Sequence, residues 1–323
     1  MKANEVIRKV LDEHGEITEV YWVACGGSLI DLYPSHFLMN VESAKTSSGW
    51  HTAKEFLVAT PKKLGKHSLV VMCSHSGNTK EAVDAAVLAY ERGAAVVTLT
   101  DNAGSKADDP RFIAWVYPWG DGVPTSEVPL GICPMLAAEL IKAQEGFEKY
   151  DALVDGLAKM DGIIEKAKVK VNAELGEKFA DLCEENKFFY ILGSGANFSQ
   201  TYGFAICSLM EMQWQHCSYI HSGEYFHGPF EVTTPGKPYV FFMSDGATRP
   251  MDARALTFLQ RMDAKVALID AKDYGLADAV PASVVTYFNP LLHLAVMRVY
   301  GNKIADARQH PLTKRRYMWK LTY

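Results

Sequence analysis

The chain has 323 residues, of which 48% are apolar and 22% charged, with 33 Lys and Arg against 38 Asp and Glu and a formal net charge of −5. That apolar content excludes a disordered chain, and mild acidity without a long basic run excludes a polyanion-coating protein, so no nucleic-acid partner is expected. At roughly 100–200 residues per domain, the length predicts two domains.

The opening segment, MKANEVIRKVLDEHGEITEV, reads as an amphipathic helix without the apolar core of a secretory signal. No apolar stretch reaches the ~20 residues that span a bilayer. The six cysteines (Cys25, Cys73, Cys133, Cys183, Cys207 and Cys217) are scattered without a CxxC pair. They read as small buried thiols of a reducing compartment, and a cytoplasmic protein with no membrane partner is expected.

Val20–Cys25 (VYWVAC) reads as a buried strand with a helix from Ser28, and Ser68–Cys73 (SLVVMC) as a second strand with a helix over Glu81–Arg92. Ala94–Leu99 and Phe112–Tyr117 read as further strands, and Val128–Gln144 as a helix. Tyr150–Lys187 is charged, nearly free of turn residues and periodic, which predicts two linking helices. The pattern then restarts. Lys187–Leu192 (KFFYIL) is a strand, GSGANF a turn and the following residues a helix to about His216. Pro238–Met243 (PYVFFM) is a strand, SDGATR a turn, and a helix follows. Ala264–Ile269 reads as a strand, Val284–Phe288 as short and strand-like, and Leu291–Tyr300 as helical. Such alternation predicts an α/β fold of two tandem units, each a mainly parallel sheet flanked by helices. The expected division is 1–155, a helical linker 156–185, and 186–323.

In open parallel sheets, ligands gather at the carboxyl ends of strands, where helix N-termini offer free N–H groups and a positive dipole end. Two turns of the first half qualify. Cys25-Gly26-Gly27-Ser28 follows the first strand, and Ser74-His75-Ser76-Gly77-Asn78-Thr79 follows the second. The second turn adds three hydroxyls, which suit an anion that must come and go. The same hydroxyls could simply cap the next helix. Neither turn is a Walker loop or a GxGxxG.

In the second half, Met210-Glu211-Met212-Gln213-Trp214 places a carboxylate in an apolar helical stretch. Burial there raises a carboxylate's pKa toward neutrality and suits acid–base work; an exposed helix glutamate is the alternative. His227 lies before Gly228-Pro229, hence in a turn, where an imidazole serves proton transfer near neutral pH. His216, Cys217, His221 and His227 fit no standard zinc spacing, so no metal is expected.

The strings ACGGS and SHSGNT resemble the sugar isomerase (SIS) domain, in which the serines and threonine of such a turn hold a sugar phosphate. The resemblance nominates Ser74, Ser76 and Thr79, with His75 in the same turn and Gly27 and Ser28 in the neighbouring one. Glu211 and the GEYFHGP histidine, His227, are sixteen residues apart. That spacing matches the isomerase half of glucosamine-6-phosphate synthase. There the glutamate shuttles a proton between sugar carbons C1 and C2 and the histidine opens the ring. A tail lysine of that enzyme has its plausible counterpart in Lys314. Ile132 and Pro134 depart from the synthase's serine and lysine, so amine handling should differ.

WVACGGS, SHSGNT, MEMQW, HSGEYFHGPFE and RQHPLTKRRYMWK resemble the fructosamine-6-phosphate deglycases more closely, over roughly residues 18–323. The resemblance implies hydrolysis of a C6-phosphorylated fructose–amino acid by a Glu211/His227 acid–base pair. We assign His227 as base and ring opener and Glu211 as acid, an assignment that could be exchanged. No cofactor is implied. The partner is a small phosphosugar–amino acid, and pairing of SIS domains implies a homodimer or larger homo-oligomer in which His227 could serve a neighbour's site. Glu224 either hydrogen-bonds His227 or shapes its turn. A phosphosugar aldose–ketose isomerase or a non-catalytic phosphosugar sensor are the alternatives.

Overall fold

The computed structural model describes residues 1–174, 179–180, 183–184 and 188–322. The chain divides into two compact units, Met1–Ala158 and Lys159–Tyr323.

In the first unit, α1 (Ala3–His14) buries Val6, Ile7 and Val10 on one face. Five strands follow: β1 (Glu19–Ala24), β2 (Ser47–Thr52), β3 (Ser68–Cys73), β4 (Ala95–Thr100) and β5 (Ile113–Val116). They form one sheet in the order β2-β1-β3-β4-β5, parallel throughout. The helices are α2 (Gly26–Glu42), α3 (Ala53–Val58), α4 (Lys80–Glu91) and α5 (Pro129–Glu145). The three central strands are buried at every position, as a sheet covered on both faces requires. Alternate residues Tyr21, Val23, Val70 and Met72 meet Ala82, Ala85, Ala86 and Ala89 of α4 in one core. The small alanines let that helix lie close against the sheet.

α6 (Tyr150–Glu174) leads into the second unit. The second of the two helices expected before residue 187 lies partly outside the described residues. The second sheet contains β6 (Phe188–Gly193), β7 (His216–His221), β8 (Pro238–Met243) and β9 (Lys265–Asp270) in the order β7-β6-β8-β9, again parallel. After β6 the chain makes a short helix, α7 (Phe198–Gly203), that widens into a π-helix over Phe204–Met212. α8 (Arg249–Arg261) follows β8, and α9 (Asn289–Ala307) closes the unit.

Two expectations are corrected. The helix read as running to about His216 ends at Met212, and residues 216–221 form the edge strand β7. Val284–Phe288 is not a strand but a 3₁₀ turn over Val285–Tyr287. Its amides bond locally, Val285 N to Pro281 O and Phe288 N to Val285 O, which leaves no ladder to build.

Candidate functional site

β1 and β3 are neighbours, so the turns at 25–28 and 74–79 emerge side by side at the carboxyl edge of the first sheet. Both open helices, and neither helix has its N-cap side chain bonded to its first amides. Those N–H groups and the aligned peptide dipoles can receive an anion. Ser74 is buried and donates to Thr79 Oγ1 at 3.1 Å. Ser76 is exposed, and its Oγ accepts from Asn78 N at 3.3 Å. The Ser76 carbonyl accepts from the amides of Asn78 (3.0 Å) and Asn102 (3.1 Å), which locks the turn from behind. Gly77 sits at φ +66°, and a Cβ there would run into Ser105 and Thr100. Gly27 faces open space. Ser28 is half-buried in the first turn of α2.

His75 projects from the turn, with Nδ1 3.0 Å from Tyr117 Oη, Nε2 3.4 Å from Asp101 Oδ2 and its ring edge-on to Trp119 at 4.7 Å. Burial, reinforced by Cys73 and Asp31, pushes the Tyr117 phenol far above its usual pKa, so the hydroxyl stays protonated beside His75 Nδ1. Burial likewise pushes the Cys73 and Cys133 thiols up; they pack as neutral groups. The Tyr117–His75–Asp101 chain was missed in the sequence because its members lie on three different segments.

In the second unit Glu211 stands on the last turn of the π-helix, a geometry concentrated at functional sites. Its carboxylate accepts from Arg315 Nη2 at 2.7 Å, with the two side chains 23% and 9% exposed, so it is partnered rather than isolated. The tail docks around it. Gln213 Nε2 donates to His310 O at 2.8 Å, Arg308 reaches Gln215 Oε1, and the Trp214 ring lies edge-on to His310 at 4.5 Å. Lys314, nominated from the tail, is exposed, with Nζ 5.1 Å from the Trp214 ring centre; the neighbouring arginine is the one that touches Glu211.

His227 is exposed on the turn after β7, its backbone N bonded to Glu224 O at 2.9 Å, with Gly228 at φ +126° beside it. Glu224 thus shapes the turn through its backbone. Tyr225 and Phe226 anchor this segment on the sheet face carrying Leu192, Ile220, Tyr239 and Phe241. The Tyr225 hydroxyl, Thr233 and the Tyr239 hydroxyl are linked at 2.7 and 2.8 Å. The Glu211 helix packs on the other face, where Phe204 meets Phe242 and Cys217 Sγ lies 3.6 Å from Ala205 O. The Glu211 helix and the segment that carries His227 therefore flank opposite faces of one sheet. Strand alternation also splits His216 from Cys217 and His221. Among the described residues no three His, Cys, Asp or Glu are placed to hold a metal, and no helix is long and apolar enough to cross a membrane.

A family profile described as SIS domain matches residues 44–113, which include the 74–79 turn. Fructosamine deglycase FrlB of Bacillus subtilis (strain 168) is 38% identical over 308 residues, covering 95% of this chain and 93% of that protein. The fructoselysine 6-phosphate deglycase of Escherichia coli (strain K12) is 25% identical, covering 94% and 86%. A solved protein of Salmonella typhimurium LT2, provisionally named a phosphosugar isomerase, superposes with a TM-score of 0.96 at 39% identity, covering 100% of this chain and 96% of its own. Full-length likeness at these identities, on two parallel sheets with the turns described, makes this chain a member of the SIS-domain family in its fructosamine deglycase branch.

Proposed function

We propose that the chain is a fructosamine-6-phosphate deglycase, which converts a C6-phosphorylated fructose–amino acid and water to glucose 6-phosphate and the free amino acid. The observation that carries this reading is the 38% identity to a fructosamine deglycase across 95% of the chain. The substrate phosphate would rest on the amides and hydroxyls of Ser74, Ser76 and Thr79, with His75, Gly27 and Ser28 beside it. Binding energy at this remote group holds the reacting carbons in place.

After ring opening, a base takes a proton from C1, the C1–H electron pair forms C1=C2, and the C2 carbonyl π pair moves onto its oxygen and takes up a proton, giving the enaminol. An acid protonates C2 with the C1=C2 pair while the nitrogen lone pair forms C1=N and the N–H proton leaves, and water hydrolyses the resulting imine to the C1 aldehyde and the free amine. His227 serves as base and ring opener and Glu211 as acid. Lys314 would border the ligand. Because the Glu211 helix and the His227 segment flank opposite faces of the sheet, His227 is read as serving the site of a second copy. On this reading the protein works as a homodimer or a larger homo-oligomer. Six scattered cysteines without a CxxC pair fit the cytoplasm.

The test is a coupled assay on fructoselysine 6-phosphate and on 6-phosphofructose-aspartate, with glucose 6-phosphate read through a dehydrogenase. Release from either, with equimolar amino acid, is expected. Glu211→Gln should cost ~10²–10⁴-fold in turnover while retaining phosphosugar binding. No release from either substrate, with turnover of fructose 6-phosphate instead, would replace the deglycase by an isomerase.

A further inference from the structure

We propose that Arg315 is a positioning residue that aims the Glu211 carboxylate at the substrate; this rests on the reading of Glu211 as the proton-transfer group. Arg315 is nearly enclosed, and its guanidinium is divided between two tasks. Nη1 donates to Leu312 O at 2.6 Å and Lys314 O at 3.0 Å, fixing the fork to the tail's own backbone. Nη2 donates to Glu211 Oε1 at 2.7 Å. One carboxylate oxygen is therefore bonded to a guanidinium that is itself fixed to the tail backbone. Trp319 covers the guanidinium at 5.3 Å, and Lys320 Nζ donates to Arg315 O at 2.6 Å, so the arginine is itself held.

The backbone around this contact is unusual. Of the four non-glycine residues with left-handed φ among the described residues, three lie here: Trp214 (+52°), Gln309 (+49°) and Trp319 (+62°). Bulky side chains avoid that region unless the surroundings impose it, and such outliers gather at functional sites. Trp214 lies two residues beyond the π-helix that carries Glu211 and receives the Arg316 guanidinium at 4.2 Å. The tail and the end of the π-helix thus meet where both backbones are left-handed, and the Arg315–Glu211 ion pair joins them beside the Gln213–His310 and Arg308–Gln215 hydrogen bonds. A lysine cannot replace the fork. Its single ammonium can reach the carbonyls or the carboxylate, whereas the guanidinium spans both.

The experiment compares Arg315→Ala and Arg315→Lys with the wild type in the deglycase assay, measuring kcat and KM separately. Two substrates are used, 6-phosphofructose-aspartate and the 6-phosphofructosyl derivative of a simple alkylamine that lacks a carboxylate. Arg315→Ala should lose ~10²-fold in kcat on both substrates, the scale of a catalytic group displaced by an ångström, with KM little changed. Tens of millimolar guanidinium, below denaturing concentration, should restore part of that rate. Arg315→Lys, which keeps stem and charge and guards against a folding defect in the alanine variant, should lie between. Wild-type kcat in Arg315→Lys, or a defect confined to KM for the carboxylate-bearing substrate, would overturn the proposal, the second because the arginine would then read the substrate. Should Glu211→Gln keep its turnover, the catalytic reading itself fails; Glu211→Gln inactive beside an active Arg315→Ala refutes the positioning role alone.

Discussion

Gly77→Ala probes the turn proposed to bind the substrate phosphate, because the backbone there leaves no room for compromise. At φ +66° an alanine pays about 1–2 kcal/mol for the left-handed conformation. Its Cβ would also overlap the Ser105 side chain and lie 2.7 Å from Thr100 Oγ1, so one of them must move. Thr100 Oγ1 donates to His75 O and accepts from Asn102 N, both at 3.1 Å, and these bonds seat the turn. Overpacking costs about 1–3 kcal/mol and a lost hydrogen bond about 1 kcal/mol. The chain can relieve part of this by tilting the 74–79 turn away from Thr100, which moves the amides and hydroxyls offered to the ligand. A tenfold rise in KM corresponds to about 1.4 kcal/mol of lost binding. We expect KM for the phosphosugar, and the inhibition constant of inorganic phosphate, to rise at least about tenfold, with a lowered Tm. A variant with reduced Tm but unchanged KM and phosphate inhibition would show that the turn holds no phosphate.

Gly27→Ala separates binding from stability: its Cβ meets nothing within 4 Å in the free protein and improves helix propensity, so Tm should hold or rise slightly while KM worsens. An unchanged KM would remove Gly27 from the ligand site. His293 gives a pH signature. Fully buried, with Nδ1 2.8 Å from Asn197 Oδ1, it is held down to about 3 by burial. Above pH ~6.5 both folded and unfolded forms are neutral; below it only the unfolded chain takes the proton, until the folded value is reached. Stability should therefore fall by about 1.4 kcal/mol per pH unit through that window, or about 2 kcal/mol at pH 5. His293→Gln should flatten the denaturation profile by that slope, and an unaltered profile would refute the assignment.

The parts of the fold legible in the sequence are those whose chemistry is local. SLVVMC and PYVFFM match β3 and β8 residue for residue, because each is an apolar run closed by a Ser turn. SSGWHT and HCSYIH, the edge strands β2 and β7, carry no such run; an edge strand is half wetted, and its register comes from its partner. The site shows the same division. Glu211, His227 and the two turns stand out by motif, whereas Arg315 is selected only by how the tail folds. The Lys314 amide closes a turn on Pro311 O at 3.0 Å, and the neighbouring Arg315, not Lys314, reaches the carboxylate. Spacing along a chain cannot distinguish adjacent cations when a turn decides which one faces inward.

The two units repeat one design, and a single carboxylate explains why they should not do the same work. β6 and β8 are neighbours like β1 and β3, and the turns after them also lie at a carboxyl edge. Ser244 Oγ lies 2.9 Å from Thr248 Oγ1, much as Ser74 Oγ lies 3.1 Å from Thr79 Oγ1. In the second unit, however, Asp252 from the first turn of α8 fills the cradle. Fully buried, it accepts from Ser194 Oγ at 2.6 Å, Ser244 Oγ at 2.6 Å and Ser244 N at 3.0 Å. The donors that would greet an incoming anion are already satisfied from within, and the anion would also meet a like charge. Expelling the carboxylate would strand three buried donors, at about 1–3 kcal/mol each. Four residues beyond Thr79, the place Asp252 takes beyond Thr248, α4 carries Val83, which offers the first cradle no such plug. The proposed phosphate anchor therefore has open donors in the first unit and filled ones in the second, which is left free to specialise its helix end and tail around Glu211.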